Sequence, residues 1–166
     1  MIANPDIYRE YGTGTHDTWF TRDSIEYLPE NLAGSYIVLV YLAEQRVIQI
    51  GKLASTLFAK GYYAYVGSAM RGIKARLARH FAGQKNCHWH IDYLLGRADA
   101  IGALVLPEER KSECILAMIL NSKFVSFHGF GSSDCRCGSH LFFDSDGQRM
   151  KDGVQAAVEL LRGIYF

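Results

Sequence analysis

The amino-acid sequence predicts an α+β domain in which a small, central, antiparallel sheet of three strands is flanked by helices. The chain has 166 residues, of which 49% are hydrophobic and 13% aromatic. This composition is typical of a packed domain and unlike that of a disordered chain. The first strand-like segments follow one another without the long crossovers that parallel pairing needs. Segments with the apolar spacing of helices come after them.

The three predicted strands lie in the first half of the chain. Residues 35–42 (SYIVLVYL) are rich in β-branched and aromatic side chains, as strands commonly are. A short turn can lead from this segment into a second strand over residues 46–50. Residues 61–67 (GYYAYVG) alternate aromatic and small side chains and form the third predicted strand.

The predicted helices supply the layers around this sheet. Ser68 can cap a helix over residues 70–81, in which Ile73, Leu77 and Phe81 recur every four residues as a buried stripe. A second helix, apolar almost all round, is expected from about residue 109 to residue 121. Weaker patterns predict a short helix over 89–95, strands over 101–106 and 124–127, and a helix over 153–162.

The length fits one domain with its own core. Residues 1–33 are polar without a clear period, and we interpret them as an extension or an extra edge element. We assign residues 34–143 to the domain proper, and residues 144–166 to a helical extension packed on it. No apolar run approaches the ~20 residues that cross a bilayer, and no signal peptide is evident. Four cysteines without an export signal indicate reduced thiols, so we expect a cytoplasmic protein.

Positive charge is concentrated in one part of the chain, although the formal net charge is only +1. No acidic residue lies between Glu44 and Asp92, and that interval holds eight basic residues. Such a distribution is typical of a surface that follows a phosphate backbone, and the alternative is chance clustering on a solvated face. The candidates for contacting nucleic acid are Lys60, Arg71, Lys74, Arg79 and Lys85.

Glu113 is an unusual residue for its surroundings. It shares a helix face with Leu116, Ala117 and Leu120. A carboxylate among apolar side chains costs several kcal/mol unless a cation pairs with it. A buried arginine and a bound metal are the two common partners.

Several short blocks occur in a characteristic order. Gly34-Ser35-Tyr36 and Tyr65-Val66-Gly67 lie on predicted strands, and Arg76 follows within KARLARHF. The later blocks are WHIDYL at 89–94, Glu113-Cys114 and GFGSSDCRCGSHLF at 129–142. Together they resemble the GIY-YIG nuclease superfamily over about residues 34–143. The blocks are most similar to those of an uncharacterised, mainly prokaryotic branch, sometimes fused to a base-excision repair glycosylase.

The resemblance implies a GIY-YIG-like fold and a divalent-metal-dependent endonuclease acting on nucleic acid. DNA is expected more than RNA, in repair or processing, with no membrane partner. Glu113 would hold Mg²⁺ or Mn²⁺, and Arg76 would offer its fork of donors to the scissile phosphate. Tyr36 or Tyr65 would deprotonate or orient the attacking water, and His80 would relay a proton or contact a phosphate.

Each of these residues also has a structural interpretation. Strand tyrosines are usually core residues, Arg76 could be a surface charge, Glu113 could form an ion pair, and His80 could simply pack. For the whole protein, the alternative is a catalytically silent nucleic-acid-binding module of the same fold.

Cysteine and histidine residues form a second group of candidates. They are Cys87, His88 and His90 upstream, with Cys135, Cys137 and His140 downstream. Zn²⁺ takes such ligands, but Cys-x-Cys is tight for two ligands of one ion, so buried thiols in a polar loop are the default. A zinc-stabilised interaction protein is the remaining alternative. Asp134, His140 and His90 are otherwise expected to reach the catalytic pocket and support its groups.

Overall fold

The chain is a mixed α/β structure built around a six-stranded sheet. The computed structural model describes residues 19–83 and 86–165. The strands of this sheet are β1 (Trp19–Phe20), β2 (Gly34–Leu42), β5 (Gly61–Ala69), β6 (Asp99–Pro107), β7 (Val125–Ser126) and β8 (Leu141–Asp144). Their order is β1-β6-β2-β5-β8-β7, and each of these pairings is antiparallel. A separate hairpin consists of β3 (Arg46–Gln49) and β4 (Ser55–Phe58).

The mixed class and the antiparallel pairing are confirmed, but the prediction of three strands is wrong. β2 pairs with β5 along its whole length, as expected, whereas its other neighbour is β6 and not β3. In β3 only Ile48 is buried, while β2 is almost wholly buried. A strand with one buried residue suits an outlying hairpin better than the middle of a sheet that is covered on both faces. β6 takes the place beside β2 instead.

Four α-helices flank the sheet in the described residues. They are α1 (Ile73–Phe81), α2 (His90–Leu95), α3 (Glu113–Asn121) and α4 (Gly147–Tyr165), and a 3₁₀ turn covers Ile25–Tyr27. None of the helices described is both long and apolar enough to cross a membrane.

Two helices begin later than predicted. Ser68 still belongs to β5, and α1 starts after Gly72, whose φ of 142° is not helical. The helix expected from residue 109 starts at Glu113, because the Glu108 carboxylate accepts hydrogen bonds from the Ser112 amide and hydroxyl groups. These local bonds compete with the helix.

Two apolar cores lie on opposite faces of the sheet. Alternate residues of β2 enter each core: Tyr36 and Val38 face α1 and α2, whereas Ile37 and Leu39 face α3 and α4. The first core also includes the buried stripe of α1. The candidate site therefore lies on the face of the sheet that α1 and α2 cover.

The two terminal extensions are only partly described. Residues 1–18 lie outside the described residues, and Trp19–Phe20 pairs with β6 at one edge of the sheet. At the other terminus α4 packs on α3 and β5 and contributes Met150 and Val154 to the second core.

Candidate active site

The sequence-predicted tyrosines, arginine and glutamate come together in one pocket of about 380 Å³. Tyr36 comes from β2, Tyr65 from β5, Arg76 from α1 and Glu113 from the first turn of α3. His80 lies behind the pocket and contacts it through Tyr36. Five residues from four elements and widely separated parts of the chain thus converge at one place.

The glycines of the two tripeptides allow the tyrosines to approach one another. In the β2–β5 register Tyr36 lies opposite Gly67, and Tyr65 lies opposite Val38 on the same face. A Cβ atom at Gly67 would lie 2.6 Å from the Tyr36 ring. Gly34 has a φ of 150°, and a Cβ there would lie 2.0 Å from the Leu106 carbonyl oxygen. Sterics therefore require glycine at both positions.

Tyr36 and His80 form a buried pair. The Tyr36 hydroxyl lies 3.0 Å from His80 Nε2, and both residues are 1% exposed. Burial lowers the pKa of His80 from 6.5 to about 4, with Arg76 and Arg79 also lowering it and Asp92 opposing them. The imidazole is therefore neutral at neutral pH. Its Nδ1 atom is buried without a hydrogen-bond partner among the described residues.

The two tyrosines are also held in their neutral form. Burial raises the pKa of Tyr36 well above its usual value, and the neighbouring Tyr65 raises it further. The pKa of Tyr65 is raised by burial as well, while Arg76 acts against the rise in both. Neither phenol ionises near neutral pH in this environment. They act as hydrogen-bonding groups.

Arg76 and Arg79 differ in how their guanidinium groups are used. Arg76 lies over the Trp89 ring, 4.1 Å from its centroid, and no carboxylate lies within ion-pair distance of it in the described residues. Arg79 lies 4.9 Å from the same centroid, but it donates to Asp92 Oδ2 at 2.9 Å and to the Asn86 carbonyl. Arg76 is free to bind an anion in the pocket, whereas Arg79 holds a structural carboxylate.

Asp92 anchors the segment that carries Trp89. Burial acts to raise the pKa of Asp92, but the backbone N–H of Trp89, the Arg79 guanidinium and the backbone N–H of His88 lower it below its usual range. The ionised carboxylate thus fixes the start of α2 and, with it, the Trp89 ring. Sequence reasoning missed the role of Trp89, although its place at the start of WHIDYL, shortly after a basic helix, was a usable signal.

Glu113 lines the pocket without a fixed partner. Glu113 is half-buried. In the part of the chain that the structure describes, its carboxylate forms no hydrogen bond or ion pair. The structural ion pair considered from sequence is therefore absent among the described residues. Asp134 is the other carboxylate on the pocket wall.

Comparison with known proteins places the chain in a family. A family profile described as domain of unknown function DUF123 matches residues 35–163. The chain belongs to this family. The DUF123 match begins in β2 and ends in α4, so it contains all the pocket residues. Neither a curated protein nor a solved structure matches the chain.

The DUF123 pocket includes only some of the other predicted residues. His90, Asp134 and His140 line it, and so does Lys111, which sequence reasoning missed because it lies outside the acid-free interval. The predicted nucleic-acid contacts are more dispersed. Lys60 and Arg71 are exposed away from the pocket, Lys74 pairs with Glu30 at 2.6 Å, and Lys85 lies outside the described residues.

A cluster of cysteines adjoins this pocket through His140, which lines it. The ligand atoms of Cys114, Cys135, Cys137 and His140 all lie within 4.8 Å of one another. Cys114 was not among the sequence candidates, because it lies on a helix remote from the cysteine-rich loop. Cys87 and His88 do not belong to the cluster, and the Nδ1 atom of His90 accepts a hydrogen bond from the Gly131 N–H.

A larger open depression of about 970 Å³ lies elsewhere, between the end of α3, β8 and α4. Its wall includes Asp144, Asp146 and Asp152, and its Arg149 is bound by two hydrogen bonds to Asp144. The three carboxylates outnumber Lys123 and Arg149 on this wall, and the excess of negative charge repels phosphate. The smaller pocket is therefore the better candidate for phosphate chemistry.

Proposed function

We propose that this DUF123 domain is a divalent-metal-dependent endonuclease that hydrolyses phosphodiester bonds in nucleic acid, with DNA the more favoured substrate. One observation carries the proposal. Within the described part of the chain, an Arg76 guanidinium without an ion-pair partner and a Glu113 carboxylate without a fixed partner share a pocket with two buried tyrosines. Phosphoryl chemistry needs these groups, since the phosphate gains negative charge during the reaction and the water must be oriented.

The resemblance to GIY-YIG nucleases supports the same conclusion. Both tripeptides, the arginine and the glutamate that carry the resemblance contribute residues to this one pocket. We therefore also propose a GIY-YIG-like fold, with β2, β5 and α1 as its core elements.

Two carboxylates on the pocket wall support the divalent metal that this proposal requires. Mg²⁺ and Mn²⁺ prefer oxygen ligands, and Mg²⁺ commonly binds through one or two carboxylates with water completing its shell. Glu113 would hold the ion, and Asp134 is the second carboxylate on the wall. When bound, the ion would supply positive charge to the developing phosphate oxygens.

The remaining groups have distinct tasks in this proposal. Arg76, which lies over the Trp89 ring, presents its planar donors to two phosphate oxygens, and Lys111 adds charge at the pocket wall. Tyr65 orients the attacking water by hydrogen bonding. Tyr36 orients the water in its neutral form, because its raised pKa makes a free phenolate unfavourable and the lowered pKa of its hydrogen-bond partner His80 makes the imidazole a poor proton acceptor.

The test is cleavage of labelled single-stranded, duplex, flapped and branched DNA and RNA with Mg²⁺, Mn²⁺ or EDTA. Glu113→Gln and Arg76→Ala should each lower the cleavage rate at least about 100-fold, the usual effect of removing one preorganised charge or donor. Glu109→Gln and Arg22→Ala change exposed residues of the same types outside the pocket and should keep wild-type rates.

The controls also define what would contradict the proposal. Wild-type cleavage by Glu113→Gln would remove Glu113 from the mechanism. Salt-sensitive binding with no products from any substrate or metal would instead favour the silent nucleic-acid-binding module.

A further inference from the structure

We propose that Cys114, Cys135, Cys137 and His140 bind one Zn²⁺ ion in a tetrahedral site beside the pocket. Three ligands come from the irregular loop between β7 and β8 and the fourth from α3. Glu113 is not one of the ligands, although His140 lines the same pocket, and the zinc site does not depend on the proposed nuclease activity.

The distances suit a single tetrahedral ion. With Zn–S near 2.3 Å and Zn–N near 2.0–2.1 Å, adjacent sulfur and nitrogen ligands lie about 3.5 Å apart. Cys135 Sγ lies 3.5 Å from His140 Nε2. The four ligand atoms, including those of the closely spaced Cys135 and Cys137, are all within 4.8 Å of one another. The Cys-x-Cys spacing, which is tight for two ligands of one ion, therefore does not keep these two thiols from the other ligands.

His140 is the fixed member of the set. It is 3% exposed, its backbone N–H donates to the Phe130 carbonyl, and its carbonyl accepts from the Val66 N–H. The bond from Val66 attaches it to β5, and the bond to Phe130 lies within the loop. Its Nε2 atom is thereby held towards the three thiols, as a preformed ligand requires.

The surrounding loop gives a physical reason for a metal cross-link. Residues 127–140 contain no helix or strand, yet they supply one wall of the pocket. A disulfide would join two of the three thiols and would leave the third thiol and the His140 imidazole outside the cross-link. One Zn²⁺ takes all four donors and ties the loop to α3 where Cys114 follows Glu113.

The ligand chemistry selects the ion. Thiolates and imidazole suit Zn²⁺, whereas Mg²⁺ and Ca²⁺ take oxygen ligands. Four protein ligands also close the coordination shell, which is typical of structural zinc rather than catalytic zinc. The upstream residues considered from the sequence, Cys87, His88 and His90, are not in the cluster, and its fourth member is Cys114.

The test is the zinc content of the purified full chain, measured by elemental mass spectrometry. We expect about one zinc per chain in the wild type and in Cys87→Ser, whose exposed thiol lies outside the cluster. Cys137→Ser should lose most of the metal, and the midpoint of its thermal unfolding should fall by roughly 5–10 °C. A wild-type chain purified without metal, or a Cys137→Ser variant with full zinc, would overturn the proposal.

A second measurement covers the case in which Cys137→Ser fails to fold. The wild-type chain, produced with Co²⁺ in place of Zn²⁺, should show thiolate-to-cobalt charge transfer and the strong visible absorption of tetrahedral cobalt. Weak octahedral absorption without charge transfer would refute the site. Glu113→Gln should keep its zinc while losing cleavage, so the two proposals fail independently.

Discussion

Burial gives His80 properties that a surface histidine lacks. Its ring is enclosed by Tyr36, Tyr65 and Trp89, and only its Nε2 atom has a polar partner among the described residues. The charged form loses its hydration in this environment, and the pKa falls to about 4. Protonation is therefore linked to unfolding.

We expect this histidine to make the protein sensitive to mild acid. Between about pH 6.5 and pH 4 the unfolded chain binds a proton at His80 that the folded chain does not. The stability that neutral His80 contributes is fully present above pH 6.5 and is lost as the pH falls to about 4. Over this range the free energy of unfolding should decrease by about 3 kcal/mol. Urea unfolding across this range measures it.

His80→Gln keeps a polar side chain near Tyr36 but cannot titrate, so its unfolding free energy should decline less over the same range. His128→Gln, at an exposed position, should follow the wild type. Equal pH dependence of all three proteins would show that His80 is not the titrating group.

At the level of elements, the pairing of β2 with β5 creates the site. The register sets Tyr36 opposite Gly67 and brings Tyr65 to the same face. α1 then packs Ile73, Leu77 and Phe81 against this face, which places His80 at the Tyr36 hydroxyl. A shift of one residue in either strand would move the tyrosines to the α3 and α4 side.

Gly67→Ala tests this arrangement. The new methyl group would overlap the Tyr36 ring, so the ring must move away from His80. We expect a loss of about 1–3 kcal/mol in the free energy of unfolding, typical of overpacking, together with reduced cleavage.

Gly163→Ala provides the comparison, because nothing lies within 4 Å of the added carbon in α4. There alanine should stabilise the helix by up to about 1 kcal/mol. Wild-type stability and cleavage in Gly67→Ala would mean that the close approach of Tyr36 is not required.

For the molecule as a whole, the basic segment divides into structural and exposed charges. Arg79 pairs with Asp92, whose carboxylate is fully buried. Lys74 pairs with Glu30, whose carboxylate is exposed. Arg71 is exposed just before α1. Fewer basic residues of this segment are therefore available to contact phosphate than their number in the sequence suggests.

Two arginine variants separate these roles. Arg79→Gln leaves a buried Asp92 charge without its cation, and we expect a loss of about 3 kcal/mol in the free energy of unfolding. Arg71→Gln should leave stability unchanged but reduce the slope of log binding constant against log salt by about one. Denaturant unfolding and salt titration of nucleic-acid binding measure the two effects. The opposite pattern, with Arg71 stabilising the fold and Arg79 governing the salt slope, would contradict the assignment.

The sequence by itself determined the local features. β-branched and aromatic residues marked β2 and β5, and the repeat of Ile73, Leu77 and Phe81 marked α1, because these patterns depend on near neighbours. The choice of Tyr36, Tyr65, Arg76, His80 and Glu113 as a group rested on the resemblance, and the structure brings these five together.

Only the tertiary structure decided which distant segments meet. β6 displaced β3 beside β2, Trp89 came to lie beneath Arg76, and Cys114 joined the loop cysteines. It also gave two arginines of α1 different roles, because Arg79 forms a structural ion pair whereas Arg76 lines the pocket. Partners far apart along the chain leave no periodic signal in it, since their contact depends on how the elements pack and on which charges that packing buries.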